Sequence, residues 1–146
     1  MDKPWDDEVD FLSGEFCNLK YEVKRNLDTG SLCGYIIIPP GNPLNQLEGY
    51  DDDRLGGIRV HGGWTYCDNE GDNIVIGFDC AHLGDLVPMM ALIRDQLPRA
   101  ALDDTETYRT IEYVEDQCKR ACWQIAGNTF IGPLNEALYE RYSSGE

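Results

Sequence analysis

Basic residues are scarce in this chain: 12 Lys and Arg stand against 27 Asp and Glu, a formal charge of −15. A surface of that sign repels nucleic acid and anionic membranes, which argues against direct nucleic-acid binding. Long apolar runs are missing as well. No stretch approaches the ~18 residues of a membrane span, and the N-terminus has no basic region followed by an apolar run. Neither a membrane association nor a signal peptide is expected, and the expected location is cytoplasmic. None of the six cysteines (17, 33, 67, 80, 118, 122) sits in a C-x-x-C pair, so reduced thiols that fill buried space are expected. There is no P-loop, no G-x-S-x-G and no H-E-x-x-H, which removes support for those enzyme classes.

What is present is the composition of a globular protein, 146 residues long and 42% hydrophobic, enough for one domain with a real core. Its acidic residues are spread, with clusters at Asp6-Asp7-Glu8, Asp51-Asp52-Asp53 and Asp103-Asp104. Three readings fit that charge: solubility, a complementary basic protein partner, or nucleic-acid mimicry. A spread pattern favours the first.

Residues 1–14 are acidic, with Pro4, Trp5 and Phe11-Leu12 as their only apolar anchors. They read as a frayed or loosely docked arm before a single α+β domain over 15–146. From Phe16 to Arg25 apolar and polar residues alternate, the period of a half-buried strand. Asp28-Thr29-Gly30-Ser31 is a turn, and residues 32–38 form a second strand of a hairpin. Pro39-Pro40-Gly41-Asn42-Pro43 stops it. Further strands are expected at 58–61, 64–67 and 73–78, with a turn at 68–72. Met89–Leu97 predicts one or two helical turns. Spacing of three and four from Tyr108 to Ile125 predicts a long helix over 105–126, capped by Asp103, Asp104 or Thr105 and ended by Gly127-Asn128. Pro133 opens a short last helix carrying Leu134, Ala137, Leu138 and Tyr142. The predicted fold class is α+β: a small antiparallel sheet of four to six strands, with one long helix and a short C-terminal helix packed on it.

Both histidines lie in two short runs, Val60-His61-Gly62-Gly63-Trp64-Thr65 and Gly77-Phe78-Asp79-Cys80-Ala81-His82-Leu83-Gly84-Asp85. Each run leaves an apolar, β-prone stretch and ends in glycine and polar residues, as a strand does when it delivers groups to a loop. Asp79 or Asp85 can accept a hydrogen bond from the His82 imidazole and fix its tautomer. The plainer alternative is a turn cap and a satisfied loop histidine. Around His61, Gly62 and Gly63 free the backbone to present N–H groups; Thr65 adds a hydroxyl, and Trp64 and Tyr66 add flat faces. A hairpin turn beside a core aromatic explains the glycines equally well.

Zinc would suit the donors His61, Cys67, Cys80 and His82, but Cys80-x-His82 is too tight for the usual knuckle. We expect no metal and no cofactor. Cys80 as a nucleophile, with His61 or His82 as base, is opposed by Asp79 and the overall negative charge. Cys118 and Cys122, one helical turn apart on the apolar stripe, read as core.

In order along the chain, Gly34-Tyr35-x-x-x-Pro39-x-x-Asn42-Pro43-Leu44, Val60-His61-Gly62-Gly63-x-Thr65-Tyr66, Gly77-Phe78-Asp79-Cys80-Ala81-His82-x-Gly84-Asp85-x-x-Pro88 and Tyr113-Val114 resemble an uncharacterised family of small bacteriophage and bacterial proteins. The resemblance covers residues 32–125, and its two middle motifs are the specific part. Where that family tends to have Gly-His-Pro, this chain has Gly41-Asn42-Pro43. The resemblance implies a role in an infected cell, and by analogy a part in countering host immunity.

The leading expectation is therefore a phage-type counter-defence protein. It would bind and sequester a small nucleotide-derived signalling molecule in a pocket lined by Tyr35, Asn42, His61, Gly62, Gly63, Thr65, Asp79, His82 and Asp85, with Arg59 and Arg94 as sources of local positive charge. One alternative is a hydrolase or lyase with His61 and His82 as acid and base and Asp79 or Asp85 orienting one of them, the candidate catalytic residues being His61, His82 and Asp79. Another is an acidic inhibitor of a basic host defence protein that handles nucleic acid. Self-association is left open. All the pocket readings require the rings of His61 and His82 to approach within several ångströms and to share solvent access.

Overall fold

The computed structural model describes residues 3–96, 105–130 and 132–144. Five strands, β1 (Phe11–Phe16), β2 (Leu19–Arg25), β3 (Leu32–Ile38), β4 (Tyr66–Glu70) and β5 (Asn73–Asp79), form an antiparallel sheet in the order β1-β2-β3-β5-β4. Three helices, α1 (Pro88–Arg94), α2 (Ile111–Ile125) and α3 (Pro133–Ser143), complete the α+β fold expected from the sequence. A long connection carries the chain from β3 to the far edge at β4, and β5 returns to pair with β3, Tyr35 opposite Gly77 and Cys33 opposite Asp79.

Strand alternation sorts the sheet into two faces. Leu19, Tyr21 and Val23 of β2, Leu32, Ile36 and Ile38 of β3, and Ile74, Ile76 and Phe78 of β5 are buried on one of them. The α2 stripe Ile111, Val114, Cys118, Ala121 and Cys122 covers that face. Burying each large aliphatic side chain there stabilises by roughly 1.5–3 kcal/mol. Helix and sheet approach closely at Gly34, where a Cβ would come closer than 3 Å to Phe78 and the Cys118 sulfur. The opposite face carries Glu22, Lys24, Cys33, Tyr35, Tyr66 and Asp79, and among the described residues no helix packs over it.

The structure departs from the sequence-based expectations at four places. First, the stretch read as one strand from Phe16 is two. Cys17 and Asn18 take positive φ (52° and 63°) and fold β1 back on β2 in a two-residue turn. The last residues of the expected arm therefore belong to edge strand β1. Its earlier part is tied down: the Glu8 carboxylate accepts hydrogen bonds from Tyr108, from Arg25 and from the Ile111 backbone N–H. Second, residues 58–61 are not a sheet strand. They run beside α2, whose glutamines satisfy their backbone: Gln124 accepts from Arg59 N–H and donates to Arg59 C=O, and Gln117 accepts from His61 N–H. The next strand starts at Tyr66 and runs through Glu70, into the expected turn.

Third, α2 begins at Ile111, capped by Thr110, rather than at 105. Thr107 pairs with the 84–86 segment, its N–H donating to Gly84 C=O and its C=O accepting from Leu86 N–H, and this holds the stretch extended. The expected caps Asp103 and Asp104 lie outside the described residues, as does Leu97. Fourth, α3 presents Tyr139 inward, against Asp116 and Arg120 of α2, while Leu134, Leu138 and Tyr142 are exposed. Among the described residues no helix is long and apolar enough to cross a membrane.

Candidate functional site

The two histidine-bearing runs meet. The His61 and His82 ring centroids lie 6.2 Å apart, yet the two rings occupy different environments. The Thr107 pairing sets Arg109 beside Asp85, and α2 brings Tyr113 over His61. His61 Nε2 is 2.9 Å from both carboxylate oxygens of Asp85, and its Nδ1 is 2.8 Å from the Tyr113 hydroxyl. With Nε2–H donating to Asp85, Nδ1 accepts from Tyr113. Arg109 Nε and the His82 backbone N–H also donate to Asp85, at 2.8 and 3.0 Å. Burial pushes the Asp85 carboxyl up, but these donors outweigh it and hold it below the ordinary value. The Asp85 side chain is 1% exposed and that of His61 12%. Solvent access is unequal rather than shared evenly: His61 keeps little and Asp85 almost none, and the two form a hydrogen-bonded network behind His82.

His82 stands in front. Its side chain is 31% exposed, with Nε2 3.2 Å from Asp79 Oδ1. That approach is out of line for a hydrogen bond, and Nε2 is buried without a partner. Gly62, at φ +70°, lies against the Cδ2–Nε2 edge of the ring; a Cβ there would come closer than 3 Å to the imidazole. The glycine predicted to cradle a ligand instead seats a histidine. Asp79, at the tip of β5, accepts from Thr65 Oγ1 and from Ala81 N–H, both at 3.0 Å.

Asp79 and His82 line a cleft of about 500 Å³ on the uncovered face, together with Tyr35, Thr65, Tyr66 and Ser31. Tyr35 and Tyr66 meet edge to face, centroids 5.5 Å apart. Tyr35 fits because its neighbour in register is Gly77: a Cβ there would strike the tyrosine ring. Burial pushes the Tyr35 hydroxyl up to about 12, so it stays protonated. Ser31 Oγ is a second buried polar atom without a partner, and its residue is 2% exposed. The volume lies within the roughly 300–1,000 Å³ of small-molecule sites.

Of the residues expected at the site, Tyr35, Thr65, Asp79 and His82 converge on this cleft, and Gly62 supports it. His61 and Asp85 lie behind it. Gly63 instead lines a separate cleft with Arg59 and Trp64. Asn42 follows Ile38, at the end of β3 opposite the site, where its Oδ1 accepts from Leu44 N–H. Neither expected cation reaches the cleft, since Arg94 pairs with Glu106 and Arg59 belongs to the neighbouring cleft. Tyr113, Arg109 and Ser31 were not singled out from the sequence as site residues. Tyr113 and Arg109 are placed by pairing between distant segments, whereas Ser31 is held in the local Asp28–Ser31 turn; that turn and the Tyr113-Val114 motif were the signals available in the sequence.

The Cys80 thiol is buried and pushed well up by that burial, with Asp85 and Asp79 adding to it, which removes it as a nucleophile. Among the described residues no group of three or more His, Cys, Asp or Glu side chains is arranged to hold a metal ion. All six cysteines are free thiols. Comparison of the chain with protein-family models, curated proteins and solved structures finds no match.

Proposed function

We propose that this chain is a non-enzymatic binder that sequesters a small nucleotide-derived molecule in the Tyr35–His82 cleft, in a bacteriophage-type counter-defence role. One observation carries the binding part. Residues from β3, β5, the 64–66 segment and the loop after β5 bring two aromatic rings, a carboxylate, a hydroxyl and an imidazole to one open cleft of ligand size. The counter-defence part rests on the motif resemblance alone.

Binding is favoured over turnover because the second imidazole is already committed. A general acid or base must reach the proton it transfers, and both nitrogens of His61 are held by Asp85 and Tyr113. That leaves His82 without His61 as its acid–base partner.

Isothermal titration against cyclic nucleotides and ADP-ribose derivatives tests the proposal. The expected result is binding of at least one member, weakened by His82→Ala and Tyr66→Ala, with the ligand recovered intact after heat release. A folded protein that binds nothing in the panel contradicts it. Recovery of a cleaved ligand would instead support the hydrolase or lyase alternative.

A further inference from the structure

The hairpin ladder between β2 and β3 runs one pair further than its strands. Arg25 faces Leu32 in register, and beyond them the Asn26 N–H donates to the Ser31 C=O at 2.8 Å. Asn26 and Ser31 are therefore cross-strand neighbours. Strand alternation puts them on the uncovered face, in line with Lys24 and with Cys33 and Tyr35, and both line the Tyr35–His82 cleft.

The turn fixes the first of these side chains. Asn26 Oδ1 accepts from the Asp28 and Thr29 N–H groups, at 2.8 and 3.1 Å. Those two bonds identify the oxygen and leave Nδ2, a donor of two protons, with no acceptor among the described residues. Ser31 carries the stronger signal. Its backbone N–H donates to Thr29 Oγ1, yet its Oγ has no hydrogen-bond partner in a residue that is 2% exposed. A hydroxyl buried in that condition opposes folding, and alanine would serve the turn without that cost.

Resting on the binding reading above, we infer that Asn26 and Ser31 form the hairpin end of the ligand site, where Nδ2 and Oγ–H together hold a phosphoryl or sugar hydroxyl oxygen of the ligand. Both groups can donate to one acceptor, and on binding Ser31 gains the partner that the fold does not give it. Ser31 precedes Tyr35 by about 13 Å of extended strand. The ligand lies along β3, its ring at the Tyr35–Tyr66 pair and its oxygen at the hairpin.

Adenosine, AMP, ADP-ribose and the cyclic nucleotides, titrated separately into the full chain and into its Ser31→Ala and Asn26→Asp variants, test this. Ser31→Ala removes only the buried hydroxyl. Unliganded, it should melt no lower than wild type, while it binds the tightest of these probes about three- to tenfold more weakly. Asn26→Asp keeps the oxygen that ties the turn and exchanges the NH₂ donor for an acceptor, so it should weaken the same probe at least as much. If that variant melts early, Ser31→Ala alone decides. Weakening that extends to adenosine assigns a hydroxyl oxygen; weakening confined to the phosphate-bearing probes assigns a phosphoryl oxygen. A Ser31→Ala variant that melts early, or that binds every probe as wild type does, overturns the inference and leaves the binding proposal standing. If no probe binds the folded wild-type chain, both fail.

Discussion

The imidazole of His82 rests on Gly62, at a residue whose backbone is left-handed and whose missing Cβ makes room for the ring. The pair joins the two histidine-bearing runs directly. Asp85 joins them a second time, accepting from the His61 ring and from the His82 backbone N–H. The orientation of His82 at the cleft therefore depends on groups that a ligand would not touch.

Gly62→Ala and Gly63→Ala separate these effects. Both residues have positive φ, so each substitution costs roughly 1–2 kcal/mol in the left-handed backbone. Only at Gly62 does the new methyl meet a ring, since nothing lies within 4 Å of a Cβ at Gly63. Urea denaturation should show the larger loss for Gly62→Ala, and titration should show weakened ligand binding for that variant alone. Equal losses in both measurements would mean the contact is incidental.

Asp85 predicts an acid-sensitive fold. Its carboxyl is held below the ordinary value of 3.8 in the folded chain, so it contributes stability that is complete above that value. The contribution fades as pH falls through the lower folded-state value. Asp85→Asn should cost about 3 kcal/mol at neutral pH, because it unpairs Arg109 and His61 in a closed site. It should also flatten the pH dependence of the urea midpoint below about pH 4. An unchanged slope would show that other carboxylates govern acid unfolding.

Glu8 pins the N-terminal segment to the start of α2. Its side chain is 10% exposed and accepts from Arg25, Tyr108 and the Ile111 N–H. Glu8→Ala is expected to destabilise by about 2 kcal/mol by leaving these donors short of a partner. A loss below about 0.5 kcal/mol, in the range of ordinary surface substitutions, would mean the segment contributes nothing to the fold.

The thiols should be quiet. Cys33, Cys80, Cys118 and Cys122 are buried and Cys17 and Cys67 half-buried. Burial pushes every one of these thiols up. Iodoacetamide followed by intact-mass measurement should add few adducts to the native protein and six to the unfolded chain. Rapid labelling of a buried thiol without denaturant would contradict the packing of α2 on the sheet.

Much of the fold was legible because periodicity reports burial directly. Leu19, Tyr21 and Val23 alternate as a half-buried strand must, and the α2 stripe recurs at three and four. The break at Cys17-Asn18 was not legible, because alternation runs through it and neither residue is the glycine that usually marks such a turn. The span 58–61 looked like a strand but finds its hydrogen bonds on helix side chains, a tertiary choice that periodicity does not encode. At the site the pattern of His, Asp and Gly picked out two runs that the fold brings side by side. It did not separate the histidine that faces the cleft from the one held behind it. That division is made by Tyr113 and Arg109, which lie 52 residues from His61 and 24 from Asp85 respectively.

The most direct test of the binding account is a ¹H–¹⁵N NMR titration of the full chain with the nucleosides, cyclic nucleotides and ADP-ribose derivatives. The account predicts amide shifts centred on Thr65, Asp79, Ala81 and His82, with Asn42 and Gln124 unmoved. Shifts gathered instead around Arg59 and Gln124, or none from any ligand, would contradict it.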